Sequence, residues 1–146
     1  MIKRAMENDA FILAKLAIEM WRNNTIDDLK KEFIEIINSD KCACFIKYID
    51  DEPIGFSQCS IRCDYVEGCD TSFVGYLEGV YVKRQYRKNG YGKELVSECE
   101  KWAKEKGCLE FASDCELVNK ESLEFHKKIG FKEMNRIICF KKIIKK

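Results

Sequence analysis

The sequence predicts a mixed α/β domain whose helices flank a central sheet, and three observations carry that expectation. Helical apolar stripes alternate with runs rich in β-branched and aromatic residues. The resulting order, β-α-α-β-β-β-α-β-α-β, is that of a mixed α/β architecture. The 146 residues, 46% apolar and 35% charged, suit one compact core. No repeat, low-complexity tract or Pro/Gly/Ser linker interrupts them, so residues 1–146 are expected to form a single domain.

A short strand is expected near Ile2 to Met6, after which Phe11, Leu13, Ala14, Leu16, Ala17, Met20 and Trp21 recur at helical spacing as a buried stripe. Thr25, with Asp28 three residues later, reads as a capping box with Asp in place of Glu. Leu29, Phe33, Ile36 and Ile37 then continue one apolar face to about Asn38. Residues Cys42 to Ile49 and Ile54 to Ile61 read as a hairpin around the turn Asp50-Asp51-Glu52-Pro53, which holds the one proline. Polar residues 63–73 form a loop before the central strand Val74 to Val82. From Gly92 to Lys106 the residues Leu95, Val96, Cys99, Trp102 and Ala103 sit at helical intervals, with Gly107 as the C-terminal cap. A strand at Leu109 to Ala112, a helix from Lys120 to Ile129 closed by Gly130, and apolar segments through Ile144 complete the order.

Charges nearly cancel, 26 basic against 25 acidic with one histidine, so no global field draws the protein to nucleic acid or an anionic membrane. No apolar run approaches a membrane span, and the start, Met1 to Glu7, lacks the apolar stretch of a signal peptide, so a cytoplasmic location is expected. Nine cysteines is a high but odd count, and Cys44, Cys99 and Cys139 lie in apolar or periodic segments as small core residues do. Cys42 and Cys44, or Cys59, Cys63 and Cys69, complete no paired C-x-x-C site. Reduced thiols and no metal are therefore expected.

The sharpest motif is Arg87-Lys88-Asn89-Gly90-Tyr91-Gly92, an R-x-x-G-x-G turn leading from a strand into a helix. Glycines allow a tight turn and close approach of a ligand, and the free N–H groups of a first helical turn point at an anion. Lys83, Arg84, Arg87, Lys88 and Lys93 add positive charge suited to a ligand with several phosphates. Taken alone, an ordinary β-α bend with solvated lysines would explain a lone Gly-x-Gly.

This segment, together with Asn119-x-x-Ser122-x-x-Phe125-His126-x-x-x-Gly130-Phe131, resembles the GCN5-related N-acetyltransferase (GNAT) superfamily over essentially the whole chain. The resemblance implies acetyl-CoA as co-substrate, its pyrophosphate on Arg87, Lys88, Asn89, Gly90, Tyr91, Gly92 and Lys93, and its pantetheine arm near Asn119. It also implies fourth and fifth strands that splay apart, leaving the edge Val80, Tyr81 and Val82 to pair with the pantetheine amides as with an added strand.

Direct transfer from a thioester to an amine needs a group that accepts the ammonium proton and a donor for the oxyanion. Glu78, an acid inside an apolar strand, is the candidate base. Its alternation with Val80 leaves open which face it takes. For the leaving thiolate His126 stands where family members often carry tyrosine, and Tyr65 and Tyr81 are further candidates. The strings around Tyr65, Glu78 and Asp114, with Trp21, are similar to bacterial aminoglycoside 6'-N-acetyltransferases. That similarity implies an antibiotic pocket of Trp21, Tyr65, Glu78 and Asp114, and a homodimer. Carboxylates and aromatic faces suit a polycationic sugar; equally, Trp21 suits the core, Tyr65 a loop anchor and Asp114 a cap. Asn135 departs from the glutamate of some relatives. Acetylation of another amine, and a non-catalytic CoA-binding module, remain the alternatives.

Overall fold

The computed structural model describes residues 1–145, and their packing divides into two compact units, Met1–Asp114 and the segment from Cys115 onward. In the first unit, β1 (Ile2–Arg4), β2 (Cys42–Ile49), β3 (Glu52–Arg62), β4 (Val74–Val82) and β5 (Glu110–Ala112) form one sheet in the order β1-β2-β3-β4-β5. Every pairing is antiparallel except β4 with β5, which is parallel. The helices are α1 (Ala10–Ala17), α2 (Ile26–Asn38) and α3 (Tyr91–Glu105). The mixed α/β class therefore holds.

Strand alternation decides which helices cover which face. Cys44 and Ile46 of β2 and Phe56 of β3 turn to one side, where they pack with Leu13 and Leu16 of α1 and Leu29 and Phe33 of α2. Phe33 meets Phe56 edge-on, with ring centroids 5.9 Å apart. Ser57 turns to the other side, donates to Leu95 O of α3 at 3.1 Å and lies 3.3 Å from Cys99 Sγ. Burial pushes the thiol of Cys44 well above its ordinary value, as expected of a small core residue. Cys139, expected to be core, is instead exposed.

Local chemistry explains most boundaries. Thr25 caps α2 by accepting from Asp28 N at 3.1 Å, as the sequence predicts. Gly107 closes α3 at φ +94°, also as predicted. The β2–β3 turn differs from expectation: Asp50 and Asp51 both take positive φ, +49° and +66°, and form it alone. Pro53 then lies within β3 opposite Tyr48, beside a register shift. Phe11 leaves the buried stripe, 48% exposed beneath Lys15, because Ala10, Leu13, Ala14 and Ala17 set the buried face of α1 and Phe11 lies off it.

The second unit contains α4 (Lys120–Lys128), followed by Gly130 at φ +105°. Residues 131–145 contain neither helix nor strand, so the expected last strand is absent among the described residues. A strand exists only with a partner to receive its N–H and C=O groups, and apolar side chains here, such as Phe140 at 90%, are exposed.

The loop 63–73 is tied to β5 by one carboxylate. Glu110 accepts from Thr71 N at 2.8 Å, Thr71 Oγ1 at 2.5 Å and Asp70 N at 3.0 Å, and the Thr71 bonds chiefly hold its pKa below the ordinary value. A carboxyl whose folded pKa is lowered contributes its full stability above its unfolded value, about 4.3, and loses it as pH falls through the lower folded value. Urea midpoints measured from pH 7 to pH 3 should therefore decline less steeply below about pH 4.3 in Glu110→Gln than in wild type. Parallel declines would remove this contact from the acid sensitivity.

Candidate functional site

A bulge in β4 builds the site. Gln58 pairs with Gly79 but Cys59 with Leu77, so Glu78 has no partner across the β3–β4 ladder. The extra residue settles the facing that alternation left open, aiming the carboxylate at Ser60 and Arg62. Ser60 Oγ donates to Glu78 Oε2 at 2.6 Å. Arg62 grips both oxygens, Nη2 on Oε1 at 2.7 Å and Nε on Oε2 at 3.2 Å. An acid inside a largely apolar strand thus receives three donors, which offsets its desolvation. With side chains 43% and 24% exposed, the Arg62–Glu78 pair is worth about 1 kcal/mol or less.

The cluster continues from Arg62. Its guanidinium lies 3.4 Å from the centre of the Tyr76 ring, and the Tyr76 hydroxyl donates to Asp114. Burial first, then the Asp114 carboxylate, pushes the Tyr76 phenol well above its ordinary value, so it stays a donor. The hydrogen bond to Glu78, more than any other contact, raises Arg62.

Glu78 and Asp114, predicted from the sequence, are therefore joined through Arg62 and Tyr76, which were not predicted. Trp21, beyond the end of α1, packs against the same strand: a Cβ on Gly79 would stand 3.0 Å from its ring, and its edge meets Phe56 with centroids 6.1 Å apart. It packs, partly buried, against the core cluster of α1, α2 and the sheet. Tyr65, 78% exposed on the loop, turns its hydroxyl to Glu67 at 3.3 Å. The signal for Ser60 and Arg62 was polar alternation along β3, which names a face only once the bulge is known.

At its other end β4 parts from β5. The two strands pair only from Val74–Glu110 to Tyr76–Ala112, so among the described residues the stretch through Val80, Tyr81 and Val82 has no strand partner except β3. Beyond it Arg87 Nε donates to Val82 O at 2.8 Å and its guanidinium lies 5.6 Å from the Tyr81 ring. Asn89 Nδ2 donates to the Tyr86 and Arg87 carbonyls, 3.1 and 3.2 Å away, holding the turn. Gly90 caps α3 at φ +82° with no side-chain bond to the helix and nothing within 4 Å of a would-be Cβ. The N-terminus of α3 is thus open to an anion, with Lys88 and Lys93 exposed beside it. A groove of about 760 Å³, lined in part by Lys15, Glu19, Tyr81, Lys83 and Arg87, opens alongside.

In the second unit Asn119 caps α4, its side chain accepting from Ser122 N at 3.0 Å. His126 Nδ1 lies 2.7 Å from Ser122 O, which assigns the proton to Nδ1, and its ring packs against Phe125 and Phe131. Asn135 accepts from Arg136 N at 2.8 Å.

Residues 12–131 match the Acetyltransferase (GNAT) family. The chain is 39% identical over 124 residues to an aminoglycoside N(6')-acetyltransferase type 1 of Salmonella typhimurium, spanning 85% of this chain and 86% of that protein. It is 34% identical to one of Acinetobacter haemolyticus over 98% of both. Among solved structures it superposes with TM-score 0.94 on AAC(6')-Iy in complex with a bisubstrate analogue, CoA-S-monomethyl-acetylneamine, at 35% identity over 99% of this chain and 98% of that one. The aminoglycoside 6'-N-acetyltransferase AAC(6')-Ih of Acinetobacter baumannii gives the same TM-score at 34% identity, with 99% of each covered.

Ser60→Ala should lower the unfolding free energy by about 1 kcal/mol, because a donor to a partly exposed carboxylate is lost while the Arg62 fork remains. Denaturant midpoints at neutral pH measure it, and an unchanged midpoint would show that the Ser60 bond adds nothing to the fold.

Proposed function

Because the chain belongs to the acetyltransferase (GNAT) family, we propose that it transfers the acetyl group of acetyl-CoA to the 6'-amino group of aminoglycoside antibiotics and so confers resistance to them. The single observation that carries the acceptor assignment is the gathering of two acids, Glu78 and Asp114, around the Tyr76 ring, on a strand whose β5-side edge is unpaired beyond Tyr76. Its relatives named for aminoglycoside 6'-acetylation, at 32% to 39% identity over most of the chain, support the same reading.

The residues present suit acetyl-CoA. The open N-terminus of α3, the left-handed Gly90 and the lysines around them would hold its pyrophosphate. The edge Val80 to Val82 would pair with its pantetheine amides. Bound there, the co-substrate supplies an already activated acyl group. What remains for the protein is to bind and orient the amine, take its proton and offer a backbone N–H of β4 to the developing oxyanion. Glu78 is the proton acceptor, directly or through water, and Asp114, Trp21 and Tyr65 hold the rest of the polycation. His126, a tyrosine or water protonates the leaving thiolate.

We further take the chain as one acetyltransferase domain, cytoplasmic and dimeric. Near-complete coverage of the solved relatives supports the first point. No helix among the described residues is long and apolar enough to cross a membrane.

Glu78→Gln should leave acetyl-CoA binding intact and lower turnover roughly a hundredfold at neutral pH, with a smaller loss at high pH where the amine is already free. Full turnover across that range would remove Glu78 from proton transfer. Aminoglycosides bearing a 6'-amino group should release thiol from acetyl-CoA, and analogues bearing a 6'-hydroxyl should release little or none, because only the nucleophile differs between them. Equal turnover of both classes, or activity confined to another amine, would overturn the acceptor assignment and leave the acetyltransferase reading standing.

A further inference from the structure

Glu78, the acid that the proposed reaction assigns to the acceptor's ammonium group, already holds a cation. Arg62 spans both carboxylate oxygens at 2.7 and 3.2 Å, and Ser60 takes a further lone pair at 2.6 Å. A planar fork satisfies a carboxylate more completely than a point charge does, so an ammonium group arriving at the same oxygens must compete with it. The other wall of the seat is the Tyr76 ring, whose face carries the guanidinium at 3.4 Å and is equally suited to an ammonium group or a sugar ring. A carboxylate and an aromatic face together make a cation site, and the protein fills it with its own side chain.

Arg62 is free to leave. It is the last residue of β3, bordering the loop 63–73, and its side chain is 43% exposed, so a rotamer change would carry the guanidinium into solvent without disturbing the ladder. Asp114, bonded to the hydroxyl of the same Tyr76, keeps a second negative charge at the site once it does.

Resting on the acceptor reading above, we propose that Arg62 is an internal stand-in for the acceptor's ammonium group: it occupies Glu78 until the polycationic acceptor displaces it, and its displacement sets acceptor affinity. It is a specificity-determining residue that admits strongly cationic amines and turns away weakly charged ones. The contrary role, a strut that holds Glu78 in place for binding and catalysis, makes the opposite demand on affinity.

Calorimetry, read beside steady-state kinetics, separates the two roles. The probes are neamine, its 6'-hydroxyl counterpart paromamine, and the acyclic polycation spermidine, each titrated into wild type, Arg62→Met and Arg62→Lys. Arg62→Met should bind paromamine roughly fivefold more tightly than wild type, the worth of one partly exposed ion pair. The KM for neamine should fall in step, kcat should not fall with it, and acetyl-CoA affinity should stay unchanged. Arg62→Lys, which keeps the charge but loses the fork, should tighten binding about twofold and decides the matter if the methionine variant fails to fold. Unchanged or weaker paromamine binding, or a fall in kcat at constant KM, would overturn the proposal in favour of a strut. If wild type binds neither aminoglycoside, the acceptor reading fails separately and the same comparison is made with spermidine. Tighter binding there sustains the role of Arg62, and equal, weaker or absent binding ends it.

Discussion

The constraint on which the site depends is the presence of an ionisable carboxylate in the middle of an apolar strand. Glu78 can stay there only if its oxygens are hydrogen-bonded. The β4 bulge makes that possible by removing the residue from the β3–β4 register and turning it toward Ser60 and Arg62. Without the extra residue the side chain would follow the alternation of the strand. One inserted position thus decides where the acid points, which donors reach it, and which aromatic face, that of Tyr76, stands next to the cation it holds.

The same strand serves the opposite end of the molecule's chemistry. β4 pairs with β5 over three residues and then continues, paired with β3 alone, to Val82, where Arg87 folds back onto its last carbonyl and the chain turns through Gly90 into α3. α3 is held against the sheet by the Ser57 hydroxyl on Leu95 O and by buried Leu95, Val96 and Cys99. A firmly seated helix keeps its uncapped N-terminus, with the N–H groups of its first turn, at one place relative to the strand edge.

Much of this was legible because the signals were local. The β4 boundaries, the Thr25 cap, the R-x-x-G-x-G turn and the Gly107 stop each rest on a few neighbouring residues whose backbone preference outweighs their surroundings. The misread positions share the opposite property. Phe11 was assigned to the core from its spacing, but the face of α1 that packs on α2 and the sheet is that of Ala10, Leu13, Ala14 and Ala17, which leaves Phe11 outside beside Lys15. Pro53 was placed in a turn because proline so often marks one, whereas Asp50 and Asp51 both accept positive φ and close the hairpin earlier. The apolar run after Gly130 reads as a strand, yet hydrophobicity supplies no partner for its backbone, and the described residues 131–145 form none.

By itself the sequence determined the class of fold, the order of its elements as far as α4, the glycine turn into α3 and the acid of β4, since each of these is a matter of residue type at a fixed spacing. Only the tertiary structure decided what Glu78 touches. Ser60, Arg62, Tyr76 and Asp114 come together from two separate strands and the segment beyond a third, through a one-residue register shift that leaves no mark in composition or period. The reason is that a strand's side-chain period is two, so a single inserted residue exchanges its faces. Whether that insertion occurs is settled by the pairing of whole strands, an interaction between residues far apart in the chain.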